Sequence, residues 1–171
     1  VNAYRELVEV NRDAYLPDQA GSLNNHANRL AEVGQRQAAV PVSEEAVALR
    51  RELVEVNRDA YLPGLAGSLN NHAIRLAEVG QRQAAVPVSE EAVALRRKLV
   101  EVNHDAYLPN LATSLNNHAI RLAEVGQRQA AVPVSEEAVN TYRQLAAAKP
   151  DEFDTMLGRA EQLLENLRYG K

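Results

Sequence analysis

Three residue types recur where they could do chemistry. Histidine stands at His26, His72 and His118, serine at Ser43, Ser89 and Ser135, and paired asparagines at Asn24–Asn25, Asn70–Asn71 and Asn116–Asn117. Imidazole is a metal ligand and a general base, and with serine it can make a nucleophile. A carboxamide carries both a donor and an acceptor, which can match a peptide backbone. The metal reading fails on spacing. Equivalent side chains in stacked helical units stand roughly 10 Å apart, whereas one ion needs ligands at about 2 Å each. No second His or carboxylate lies three or four residues on from His26. Buried, neutral histidine is the expected alternative, because buried polar groups are normally satisfied. Ser43 can approach His26, but each copy lacks an evident third group and a convergent oxyanion site. No catalytic residue, metal or cofactor is assigned.

The elements that carry these residues are repeats. Ser22–Gly34, SLNNHANRLAEVG, returns at Ser68–Gly80 and Ser114–Gly126, each 46 residues on. A fixed period of this size marks a stacked array. Residues Val1–Asn11 align with Ala48–Asn57, so the chain opens inside a truncated unit without Met, as an excised fragment or an engineered product would. The expected organisation is a single repeat domain over 1–171. A half-unit occupies 1–16, repeats occupy 17–62, 63–108 and 109–149, and a capping helix occupies 150–171.

Helix A is expected from about Pro17 to Val33, with Pro17 at the first helical position and Gly34 left-handed just past the end. Its apolar stripe is Ala20, Leu23, Ala27, Leu30 and Val33. Helix B is expected from about Gln37 to Val56, with Pro41 near its first turn. Its stripe is Ala39, Val42, Ala46, Leu49, Leu53 and Val56. The segment Asn57–Leu62 would turn the chain into the next helix A, and Tyr15, Tyr61 and Tyr107 would wedge between units. From Lys149 the repeat identity ends. Phe153, Leu157, Ala160, Leu164 and Leu167 then make one stripe opposite charged residues, as a terminal cap requires.

Composition narrows the classes. The 171 residues carry a net charge of −4, with one Phe, no Trp and no Cys. Within one unit, Arg51–Arg96, five basic residues are interspersed with six acidic ones, so nucleic acid and anionic membrane have no footprint. Without cysteine there is no disulfide or thiolate site, which fits a reducing, cytoplasmic setting. No apolar run approaches the ~20 residues of a membrane span.

The repeated unit resembles a tetratricopeptide repeat through Leu23, the small Ala27, Leu30, Gly34, Ala39 and Ala46. The LNN–A start and the long period are most similar to the kinesin-light-chain-like branch, whose relatives include actinobacterial and fungal arrays beside nucleotide-binding modules. The usual unit has 34 residues. The resemblance implies an all-α, right-handed α-α superhelix, a solenoid of antiparallel helical hairpins. It also implies that helix A lines a concave groove where asparagine binds peptide backbone. On that ground Asn24, Asn25, Asn28, Asn70, Asn71, Ile74, Asn116, Asn117 and Ile120 are the expected peptide-binding residues. The alternatives stay open. The amides would otherwise tie neighbouring units together, and Asn28, Ile74 and Ile120 would be drift on a free surface. In every copy His and Ser replace bulkier residues that face the hairpin interior in the family, so a His26–Ser43 hydrogen bond across the hairpin is expected.

The functional expectation is a non-enzymatic scaffold for a protein or peptide partner. Flanking pairs such as Arg29 and Glu32 would tune selectivity. A self-assembling structural module forming homo-oligomers is the second reading, and a sensor region of a larger signalling ATPase the third. Near-identity of the copies is consistent with recent duplication or consensus design.

Overall fold

The computed structural model describes residues 2–170; Val1 and Lys171, the outer limits of the expected array, lie outside them. The fold is all-α, with no strand among the described residues. The helices are α1 (Asn2–Val10), α2 (Arg12–Glu32), α3 (Arg36–Val56), α4 (Arg58–Glu78), α5 (Arg82–Val102), α6 (His104–Glu124), α7 (Arg128–Ala148) and α8 (Pro150–Tyr169). The chain divides into two compact units, Val1–Val88 and Ser89–Lys171, with the division inside α5.

The A helices begin earlier than their proline signal predicts. Asn11, Asn57 and Asn103 are extended and each accepts a hydrogen bond from the backbone N–H three residues on, Ala14, Ala60 and Ala106, at 3.1–3.2 Å. Asparagine is among the strongest N-caps because its carbonyl satisfies an orphan donor. One residue, Asn57, therefore reverses the chain where six were expected. Pro17 and Pro41 are the sixth residues of their helices. A proline there cannot bond the carbonyl four residues back, and for Pro41 that carbonyl belongs to Gln37, an exposed residue open to water.

Glycine closes helix A as expected. Gly34, Gly80 and Gly126 have φ of 81°, 84° and 79°. Gly34 N–H donates to Ala31 O at 3.0 Å and Gln35 N–H to Leu30 O at 2.8 Å, the paired bonds of a Schellman motif. Beyond it, α3 folds back on α2.

Alanines let the helices approach. Ala27, Ala31 and Ala39 form one cluster between α2 and α3, with Ala39 and Ala46 wholly buried. Tyr61 of α4 packs on Leu16 and Ala20 of α2 and Leu53 of α3, which is the expected wedge. Val33 and Val56, the last positions of the two expected stripes, are exposed.

In the second unit α8 keeps the repeat register although the repeat identity of the sequence ends at Lys149. It starts 46 residues after α6. Phe153, Ala160 and Leu164 pack on Val139, Tyr142 and Ala146 of α7. The positions that bury Leu115, Ala119 and Leu122 in α6 carry exposed Glu161, Glu165 and Arg168 in α8. The cap is a helix A whose far face has been made charged.

Candidate functional site

The serine–histidine bond forms, but not inside a hairpin. Ser43 Oγ lies 2.7 Å from Nδ1 of His72, and Ser89 Oγ lies 2.8 Å from Nδ1 of His118. Each serine meets the histidine of the following repeat, 29 residues on. Ser43 also donates to Val40 O at 2.8 Å. Its single proton is thus committed, and the imidazole Nδ1–H donates to the hydroxyl. His72 and His118 are buried, as expected. Burial pushes both below the usual histidine value, opposed by Glu44 at His72 and by Glu90 at His118, where Arg97 adds to the lowering. His26 departs from the expectation and is exposed. At the other end Ser135 Oγ is buried without a partner, because Leu164 occupies the histidine position of α8.

The arrangement offers bonding, not nucleophilic chemistry. A serine whose proton is held by a backbone carbonyl is not activated by the imidazole that donates to it. Among the described residues no three His, Asp or Glu side chains are placed to hold a metal ion.

The asparagines take different positions. Asn71 Nδ2 donates to Asn24 Oδ1 at 3.2 Å, tying α4 to α2. Asn25 is exposed and lines an open concavity of about 580 Å³ with Tyr4, Ser22, His26, Arg29 and Arg50. Asn70, like Asn71, is half-buried. In the second unit Asn116 and Asn117 are half-buried, and Asn116 Oδ1 is buried with no hydrogen-bond partner. Asn28, Ile74 and Ile120, at one register position of helix A, are all half-buried. Arg75–Glu78 and Arg121–Glu124 form ion pairs at 3.0 and 3.2 Å, while Arg29 makes none among the described residues.

A group that sequence reading passed over is Arg50, with Arg96 its counterpart. The Arg50 guanidinium lies against two glycines. A Cβ on Gly64 of α4 would stand 2.8 Å from its Nη1, and one on Gly21 of α2 would stand 3.5 Å from its Nη2. Burial lowers the Arg50 pKa, with Tyr61 and Asp18 opposing, and lowers that of Arg96, with Tyr107 opposing. In the third copy the position holds Tyr142, whose hydroxyl lies 3.2 Å from Thr113 Oγ1. Thr113 donates to Pro109 O, so the tyrosine is the donor. Thr113 in turn stands where the first copy has Gly21. The signal was the joint change Arg to Tyr and Gly to Thr, visible only by comparing copies with one another.

A family model described as "Tetratricopeptide repeat" matches residues 19–58, 65–106 and 111–148, well over half of the chain. A search of the curated proteins finds no match. Among solved structures, the protein described as "MamA RS-1 ArsTM double mutant" is similar at 22% identity, over 88% of this chain and 75% of that one, with a TM-score of 0.46.

Proposed function

The chain belongs to the tetratricopeptide repeat family, and from that premise we propose that it is a non-enzymatic scaffold that binds an extended protein or peptide segment through the asparagine face of its A helices. The first unit would contribute Asn24, Asn25, Asn28, Asn70, Asn71 and Ile74, and the second Asn116, Asn117 and Ile120. The observation that carries the reading is unspent amide capacity. Asn25 faces an open concavity, and Asn116 Oδ1 is held at low exposure without a donor. The 46-residue period and the LNN–A start support placing the chain in the kinesin-light-chain-like branch. The lack of cysteine supports a cytoplasmic setting.

The test is capture of partners by the wild type and by an Asn25→Ala/Asn116→Ala variant. The variant is expected to capture at least tenfold less while melting within a few degrees of the wild type. Equal capture by the two proteins removes the amide face from the account.

A second reading, self-assembly, draws on one observation. Asn25 and His26 are exposed, whereas their counterparts Asn71 and His72 are covered. An uncovered end of α2 could seat another copy. Light scattering across a concentration series separates the two readings, since a mass that stays monomeric excludes self-assembly.

A further inference from the structure

Where the start of α6, the end of α7 and the start of α8 meet, the second unit holds a cavity of about 300 Å³. Its floor is apolar. Leu108 and Phe153 are buried, Leu145 is half-buried, and Ala148 lies at the edge. Its rim is polar and exposed, with His104, Asp105, Gln144 and Lys149. In the first copy two of these rim positions are joined, because Arg12 and Glu52 form an ion pair from α2 to α3. The third copy undoes that pair. His104 replaces the arginine and turns to its neighbour Asp105, with Nδ1 3.0 Å from Oδ1. Gln144 replaces the glutamate and makes no hydrogen bond among the described residues. Ala148 is smaller than Val56 and Val102 of the earlier copies, and Phe153 lacks the hydroxyl of Tyr61 and Tyr107. Together the changes open the mouth and leave the floor without a polar side chain.

Size and charge define an occupant. The volume is at the lower limit of small-ligand sites and holds about ten non-hydrogen atoms at roughly 30 Å³ each. That is a free small molecule, not a length of chain. Among the rim charges, Asp105 is fully exposed and already bonded to His104, so water screens it. Lys149 keeps a cation at the mouth. Its contact with Glu152, at 3.4 Å, is an exposed pair of the kind that contributes little and is readily exchanged. Lys149 and the Gln144 amide are the groups that can receive an acid. We propose that this cavity binds a small apolar carboxylate, with its ring or branched chain against Leu108, Leu145 and Phe153 and its acid group at Lys149 and Gln144.

The test is an amide-resolved NMR titration of the full chain with hydrocinnamate, hydrocinnamyl alcohol and phenylpropylamine. Hydrocinnamate is expected to saturate with a dissociation constant on the order of 1 mM, the range for a ligand of about ten atoms. It should shift the amides of Leu108, Leu145 and Phe153 and bind at least fivefold tighter than the alcohol or the amine. Two variants divide the contributions. Lys149→Asn installs the cap residue of the other A helices, so it should melt no lower than the wild type while bringing the acid within twofold of the alcohol. His104→Arg with Gln144→Glu restores the pair of the first copy and should weaken acid and alcohol alike at least fivefold. Should that double variant not fold, Ala148→Leu, which fills the mouth from an exposed position, is read in the same way. Absence of saturable shifts with hydrocinnamate overturns the proposal. So does a wild type that prefers the amine or takes acid and alcohol equally. Selectivity that survives Lys149→Asn, or acid affinity unchanged when the mouth is closed, overturns it too. None of these outcomes bears on the asparagine face, which shares no residue with the cavity.

Discussion

His72 and His118 are the residues whose state the solvent can change. Their folded pKa values are lowered by burial. The stability they contribute is fully present above the unfolded value of about 6.5 and is lost as pH falls through the lowered folded values. The unfolding midpoint is expected to drop between pH 7 and pH 5. A His72→Leu/His118→Leu variant should show a shallower drop in the same calorimetric scan. Each substitution removes one hydrogen bond, worth about 0.5–1.5 kcal/mol. Each also buries a leucine worth ~1.5–3 kcal/mol, as Leu164 already does at that position in α8. The variant should therefore lose little at pH 7. Protonation need not break the bond, because Nδ1 already carries its proton; the cost is a charge placed in a buried site. Serine offers a paired comparison. Ser43→Ala strips a partner from His72 and should destabilise by about 1 kcal/mol. Ser135→Ala removes a buried hydroxyl that has no partner and should be neutral or stabilising, as denaturant titration would report.

Among the helices, the ends carry the specificity. Asn57→Ala removes the cap of α4 and should cost about 1 kcal/mol. Gly80→Ala forces a side chain into φ of 84° and should cost about 1–2 kcal/mol, measured by the same titration. The glycine stop was legible in the sequence because one residue type carries the whole signal. The asparagine start was not, because the proline six residues on gave a competing signal, and a sixth-position proline is tolerated where its orphan carbonyl reaches water. Which serine meets which histidine was also hidden. Helical periodicity places both residues on interior faces, but it does not say whether a face looks to its own hairpin or to the next. The asparagine row was legible as a row. That Asn24 and Asn71 bond to each other while Asn25 stays open depends on what covers each helix, and no spacing rule reports that.

The array is closed at one end by charge. Exposed Glu161, Glu165 and Arg168 replace the leucines and alanine that α6 buries, and Arg143–Glu161 and Arg168–Glu136 pair across to α7 at 2.6 and 2.7 Å. Such exposed pairs add only about 0–1 kcal/mol each, so their larger effect is to deny a further helix an apolar seat. Glu161→Leu, Glu165→Ala and Arg168→Leu together restore the α6 pattern. That variant is expected to associate, with a scattering mass that rises more steeply with concentration than that of the wild type.

The one-residue hinge at Asn11, Asn57 and Asn103 sits in the same local text each time, Leu-Val-Glu-Val before it at all three. Excising Asn11–Val56 would join Val10 to Asn57 and rewrite that text without a seam. The protein is thus cut into removable cassettes, and the shortened chain should fold with its remaining hinge chemistry unaltered, at a lower melting temperature set by one fewer neighbour.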